Sequence, residues 1–391
     1  MCPKEDDELL YHSVTKDADF EKYRRFYKLK TSESFVVDPE EKTAHIVEKT
    51  PLGKGTYGVV RKVPSKNMVV KEMKVSNKGQ RKDAIEEHKY GKVIFKYSLF
   101  QEIKQQSLIR IGMPFINGQS LYEFTQELST FYQLSSTFLM MLNAVQVFQE
   151  SKFKKLGRRI HNDLSSVNFL VESEKNSKFP SVIHIIDLGF TRREGEQVSR
   201  WWKINRNFPP ESELFSKAKT SRDIYSLGAL LLPNSSAKWS MFAGKHLPAI
   251  IIENIKFIQN QMTYCDPESR INIDEVRSQF IALREQEPLL TALGADDEKE
   301  VEVILKKKQN LDLILSLVLR GQCQDTVLLL LKKHAIIPDF EEKIAAERKK
   351  IDEINIRYIG QWVVYYLEKD TTEDSSLLKV CCEEFNEKII Q

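Results

Sequence analysis

Three glycines within six residues, Gly53-Lys54-Gly55-Thr56-Tyr57-Gly58, stand between two strand-like segments, and that placement constrains the chain more than any other feature. Ile46 and Val47 lead into the loop, and Val59 to Val63 read as the strand that leaves it. Missing side chains let such a loop adopt positive φ and let backbone N–H groups approach phosphate oxygens. A lone glycine pattern is common in ordinary turns. The strand–loop–strand setting nevertheless disfavours a dinucleotide-binding loop, which would open a helix. Pro64-Ser65-Lys66-Asn67 is turn chemistry, and Met68-Val69-Val70-Lys71-Glu72-Met73 reads as the returning strand of a hairpin.

Lys71 lies thirteen residues past Gly58 and directly follows three apolar residues, which sets it in an interior. An ammonium there can pair the α- and β-phosphates of a nucleotide if a carboxylate holds it. The polar, proline-free stretch from Lys78 to Lys92 suits a helix, and its Glu86 or Glu87 is the expected partner. Glu86 is preferred, adjacent helical positions lying about 100° apart. Val60, two residues past the last glycine, would press on an adenine face.

Leu108-Ile109-Arg110-Ile111 reads as a further strand, and Met113-Pro114-Phe115-Ile116-Asn117-Gly118-Gln119-Ser120-Leu121 as a linker that ends in a helix. Adenine recognition in a linker needs one C=O and, two residues on, one N–H. Pro114 can give the first and Ile116 the second, so the proline does no harm. A plain strand–turn–helix junction is an equally open reading of these residues alone. The expected nucleotide-binding set is Gly53, Lys54, Gly55, Gly58, Val60, Lys71, Met113, Pro114 and Ile116.

Farther on, His161-Asn162-Asp163-Leu164-Ser165-Ser166-Val167-Asn168 supplies a carboxylate and an amide five residues apart. Ile186-Asp187-Leu188-Gly189 supplies a second carboxylate at the end of the apolar strand Val182 to Ile186. Asp163 can accept the proton of an attacking hydroxyl or orient it for in-line attack. Asn168 and Asp187 are oxygen ligands suited to Mg²⁺, with Mn²⁺ as the alternative. The glycine loop, Lys71 and these two stretches, in this order, are what phosphoryl transfer from ATP requires.

Composition narrows the classes. The chain has 391 residues, 41% hydrophobic and 29% charged, enough for a sizeable core. A net charge of +3 argues against wholesale nucleic-acid binding, and the Lys306-Lys307-Lys308 run reads as a solvated helix face. Five cysteines, Cys2, Cys265, Cys323, Cys381 and Cys382, are odd in number and badly spaced for a disulfide framework or a zinc site. A reducing, cytoplasmic compartment is therefore expected. The acidic start is unlike a signal peptide, and no apolar run reaches the ~18–20 residues that span a bilayer. Cys381-Cys382 could accept a lipid, but no flanking membrane-binding pattern accompanies it.

Residues 1 to 42 are charged, with aromatics at Phe20, Tyr23, Phe26 and Tyr27 that suit a short helix or docking arm. After Ser120 the period changes: Phe138, Met141, Leu142, Val145 and Phe148 mark an amphipathic helix. Ile224 to Leu232 reads as a buried helix. Leu290 to Asp297 looks like a boundary, followed by helical segments Val301 to Lys308, Leu311 to Leu319, Thr326 to Lys333 and Phe340 to Leu367.

At these motifs the chain resembles the eukaryotic-type protein kinases, over about Ile46 to Leu283. Pro209-Pro210-Glu211 resembles the tripeptide that ends that family's activation segment, Asp223-Ile224-Tyr225-Ser226-Leu227-Gly228 the start of its central helix, and Asp266-Pro267-Glu268-Ser269-Arg270 the late motif whose arginine pairs with the glutamate, here Glu211. The resemblance implies an α+β, bilobal fold with ATP in the cleft. It assigns 1–42 to an N-terminal extension and 43–285 to the kinase domain, with the β-rich lobe at about 43–113 and the helical lobe at about 117–285. Residues 286–391 become an all-α C-terminal extension. It further implies ATP and Mg²⁺ as cofactors, a protein substrate, Lys71, Glu86 and Asp163 as catalytic residues, and Asn168 and Asp187 as metal ligands.

The departures are specific. Asn162 stands where many kinases carry the arginine that receives a phosphorylated loop, so activity without loop phosphorylation is expected. Ser165 replaces the lysine usual in Ser/Thr kinases, Leu188 the usual Phe, and Val69 a smaller residue. Trp201-Trp202 are peptide-docking aromatics or local packing, packing being the simpler reading. The expectation is a protein kinase, Ser/Thr rather than Tyr; a small-molecule phosphotransferase and a pseudokinase scaffold are the alternatives. The lysine-rich, degenerate motifs resemble eukaryotic-like kinases that intracellular bacteria deliver into the host cytosol. The helical extension is a candidate site for a protein partner or for dimerisation.

Overall fold

The structure, a computed structural model, describes residues 14–15, 24–25, 28–30, 34–38, 41, 43–55, 58–103, 106–150, 157–198, 208–213, 216–233, 239–306, 310–321, 325–335 and 337–369. Phe20, Tyr23, Phe26, Tyr27, Thr56, Tyr57, Trp201, Trp202, Lys307, Lys308, Cys2, Cys323, Cys381 and Cys382 lie outside the described residues. Two compact units are present. The first holds the described residues up to Gly118 together with Ile186–Thr191; the second holds those from Gln119 to Ile185 and from Arg192 onward.

The first unit is built on strands β1 (Val14–Thr15), β2 (Phe35–Asp38), β3 (Thr43–Ile46), β4 (Pro51–Lys54), β5 (Val59–Val63), β6 (Met68–Lys74), β7 (Leu99–Ile103) and β8 (Leu108–Pro114), with helix α1 (Lys78–Ile94). Six of them form a sheet in the order β1-β7-β8-β6-β5-β4. Alternation along β6 sorts its side chains onto two faces. Met68 and Val70 join Val36, Val47, Val63 and Leu99 in one cluster. Met73 joins Ala84 of α1, Phe100, Ile109 and Ile111 in the other. Lys71 is two residues from Met73 and therefore shares the α1 face. Asn77 caps α1 by accepting from the Gln80 N–H.

Two of the longer strands of this unit were not legible beforehand. Phe35–Asp38, assigned to the N-terminal extension, pairs antiparallel with Thr43–Ile46 and is fully buried, because Phe35 and Val37 pack beside Ile103 while Val36 joins Val47, Val63 and Leu99. Leu99–Ile103 pairs with β8.

The second unit is mainly helical: α2 (Leu121–Gln126), α3 (Phe131–Glu150), α4 (Thr220–Ala229), α5 (Ala249–Met262), α6 (Ile273–Gly294), α7 (Glu298–Leu305), α8 (Leu311–Arg320), α9 (Asp325–His334) and α10 (Phe340–Lys369). Short strands β9 (Gln119–Ser120), β11 (Phe169–Glu172) and β12 (Val182–Ile185) form one antiparallel sheet, and β10 (Arg159–Ile160) pairs with β13 (Arg192–Arg193). The apolar stripe of α3 packs inward, with the Phe138 ring 4.5 Å from that of Phe280.

Helix α6 runs through position 285 and into the expected boundary at 290, since Leu289, Leu290 and Leu293 continue its buried face. The helices beyond it belong to the same unit: the Asn254 amide of α5 donates to the Leu317 carbonyl of α8 at 2.8 Å. Among the described residues no helix is long and apolar enough to cross a membrane.

Candidate active site

The first unit gathers a cation between two carboxylates. Lys71 Nζ donates to Glu87 Oε1 and Oε2 at 2.9 and 3.0 Å and to Asp187 Oδ1 at 2.7 Å. Lys71 and Glu87 are buried, whereas the Asp187 side chain is 28% exposed. Burial disfavours the Lys71 ammonium, but Glu87 and Asp187 outweigh it and hold its pKa above the ordinary value. Burial likewise dominates at Glu87 and pushes its carboxyl up, against the pull of Lys71.

Glu86, the preferred partner by sequence, is corrected by this geometry. The buried face of α1 carries Ala84, Glu87, His88 and Gly91, the i, i+3, i+4, i+7 positions of one stripe. Glu86 falls off that stripe, where Lys89 Nζ lies 3.4 Å from its Oε1. The small residues Ala84 and Gly91 were the signal that fixes this phase.

Strand register sets the rest of this face. Lys71 is opposite Val60 on β5 and Ile111 on β8, and Val69 is opposite Met113. Directly opposed residues share a face, so Val60, Val69, Lys71 and Met113 line one side of the sheet. Pro114 ends β8, and Phe115 N–H bonds to the Asn67 carbonyl at 3.0 Å, which orients the chain ahead of Ile116. At the glycine loop, Gly55 N–H bonds to the Gly58 carbonyl at 2.9 Å. A Cβ on Gly58 would sit 2.5 Å from the Glu72 carbonyl, so the hairpin closes only with glycine there. A cavity of about 340 Å³ is lined by Lys54, Gly58, Lys71, Glu87, Asp187 and Gly189, among others. Asp187 itself adopts φ 59°, ψ 71°, the left-handed region that Asp tolerates better than most side chains.

The second unit holds the catalytic-loop candidates. Asn168 Nδ2 donates to the Asp163 carbonyl at 2.8 Å and to its carboxylate at 3.2 Å. Asp163 N–H donates to His161 Nδ1 at 3.2 Å, and the His161 ring packs on Phe148. The loop is anchored from α4: buried Asp223 accepts from His161 N at 3.0 Å, Asn162 N at 2.9 Å and Gln149 Nε2 at 2.9 Å. Burial raises the Asp223 carboxyl against those donors. This anchoring role was missed; an acid in the first turn of an otherwise buried helix was its only local sign. Arg270 grips Glu211 through two parallel bonds of 2.8 Å, the pairing that the resemblance implied.

With this geometry in place, the comparison with known families is decisive: the protein kinase domain model matches residues 46–311. The chain belongs to the protein kinase family. The chain is also similar to human tyrosine-protein kinase TXK, 25% identical over 239 residues, which are 58% of this chain and 41% of that protein. It thus spans about two fifths of that relative's length. Protein kinases as a family use ATP and a divalent metal ion, and the β-rich first unit and helical second unit are the two parts of their fold.

Proposed function

We propose that this chain is an ATP-dependent protein kinase that transfers the γ-phosphoryl group to a serine or threonine hydroxyl of a protein, in preference to tyrosine. The observation that carries the reading is the Lys71 ammonium held by Glu87 and Asp187 in the unit that also bears the glycine loop. An ammonium fixed in this way is pre-positioned for the α- and β-phosphates of ATP.

The Asp187 carboxylate and the Asn168 amide oxygen are hard donors that suit Mg²⁺. The NH₂ of Asn168 is engaged by Asp163, so the oxygen is its ligand end. A divalent cation bound by such donors would supply charge neutralisation for the phosphates. Asp163 orients the acceptor hydroxyl and takes its proton, and its own placement is supported by the bonds from Asn168 and to His161. The buried, hydrogen-bonded Asn162 supports activity that needs no phosphorylated activation segment.

Incubation with γ-labelled ATP, Mg²⁺ and a generic protein acceptor, followed by phosphoamino-acid analysis, tests the reading. Phosphoserine or phosphothreonine, abolished by EDTA, is expected. Phosphotyrosine alone would move the acceptor to the class named for the human relative, and transfer to small amines or sugars but to no protein would overturn the reading.

A further inference from the structure

Arg222 lies in the first turn of α4, immediately before Asp223, and is buried. Each of its three nitrogens has a different target. Nε donates to Asn162 Oδ1 at 2.9 Å, Nη1 to Ser216 Oγ at 2.8 Å and Nη2 to Ser212 Oγ at 2.8 Å. Among the described residues these side-chain acceptors are all neutral oxygens. Burial pulls the Arg222 pKa down, while Glu211 and Asp223 pull it up and Arg270 pushes it down.

Both ends of this bridge are themselves fixed. Asn162 sits at φ 65°, a conformation asparagine accepts more readily than arginine would. Its Nδ2 donates to the Ile160 carbonyl at 3.0 Å, and its N–H donates to Asp223. On the other side, Val198 N–H donates to the Ser216 carbonyl at 3.0 Å and Ala218 N–H to the Glu196 carbonyl at 2.8 Å. Ser212 directly follows Glu211, the residue gripped by Arg270. One guanidinium therefore ties the loop bearing Asp163 to the Pro209-Pro210-Glu211-Ser212 segment and to residues 216–218.

A planar guanidinium holds its donors in fixed directions and spreads them over three nitrogens, so it reaches acceptors farther apart than the single nitrogen of an ammonium can. We infer that Arg222 is a positioning residue: it holds the end of the activation segment in register with the catalytic loop through two serine hydroxyls, with no phosphoryl group required. The inference rests on the kinase reading above for its effect on turnover, though not for the tie itself.

The test compares wild type with Arg222→Lys, Ser212→Ala/Ser216→Ala and Ser212→Thr/Ser216→Thr. Two lost hydrogen bonds predict a rise of about tenfold in KM for the protein substrate in the double alanine variant. KM for ATP should change by less than about twofold, and amide exchange at Ser216 to Ala218 should accelerate. The double threonine variant keeps both hydroxyls and should restore the wild-type values. Arg222→Lys should resemble the double alanine variant, and if it fails to fold the serine variants still decide. Unchanged protein KM and unchanged exchange in the double alanine variant would overturn the inference. So would equal rises in both KM values with a lowered Tm, which mark a purely structural role. If wild type transfers no phosphate at all, the kinase reading fails, and the exchange comparison still judges the tie.

Discussion

Glu87 Oε1 lies 2.9 Å from Lys71 Nζ, whereas Glu86, its neighbour in sequence, has its Oε1 3.4 Å from Lys89 Nζ. One residue of helix phase thus separates a buried partner from a partly exposed one. Glu87→Gln should lower kcat/KM by about tenfold or more, because it removes the charge that holds the ammonium. Glu86→Gln should leave it within about twofold. Steady-state kinetics on the two variants distinguishes them, and equal effects would contradict the assigned phase.

His88, next on the same helix, gives a pH dependence of stability. Burial, followed by Lys92 and Lys89, lowers its pKa to about 4 from 6.5. Its ring Nδ1 lies 3.0 Å from Ser98 Oγ, and the ring packs on Phe100. A depressed pKa means that the unfolded chain binds the proton first, so this contribution is present above about 6.5 and is lost as pH falls toward 4. The loss amounts to about 3 kcal/mol at its limit. Urea unfolding of wild type and His88→Gln at pH 7 and pH 4.5 should show a smaller pH effect in the variant. Equal pH effects would remove the assignment.

The Arg270–Glu211 pair predicts a large structural effect. The Arg270 side chain is fully buried and that of Glu211 is 13% exposed. Glu211→Gln leaves the guanidinium without its counter-charge and should cost about 3 kcal/mol. Chemical denaturation measures it, and a loss below about 1 kcal/mol would mean that the pair is screened like a surface one.

Regulation is testable separately. Asn162 occupies the position where a phosphate-receiving arginine is common in the family, and its side chain is already engaged by Ile160 and Arg222. Phosphatase treatment of the purified protein should therefore leave its initial rate within about twofold. A loss of tenfold or more would show that a phosphoryl group orders the site after all.

Much of the site was legible because local rules determine it. Three glycines between strands located the loop, the three apolar residues before Lys71 set it in an interior, and an apolar period of 3.6 identified α3. The partner of Lys71 was harder, because adjacent glutamates are equivalent until Ala84 packs against Met73 and fixes the phase of α1. Phe35–Asp38 was hidden inside a charged terminal stretch, where burial depends on β3 as a partner. The links from Asp223 to His161 and from Arg222 to Asn162 join residues about sixty positions apart, and no local signature announces them. The helices past 290 were recognisable as helices, whereas their packing into the second unit rests on contacts such as Asn254 to Leu317.

The most direct measurement compares labelled phosphate transfer from ATP by wild type and by Asp163→Ala, with nucleotide affinity measured in parallel. The account predicts that transfer falls by about 100-fold or more while ATP affinity stays within about threefold, since Asp163 acts on the acceptor hydroxyl and not on the nucleotide. Undiminished transfer by Asp163→Ala would contradict it.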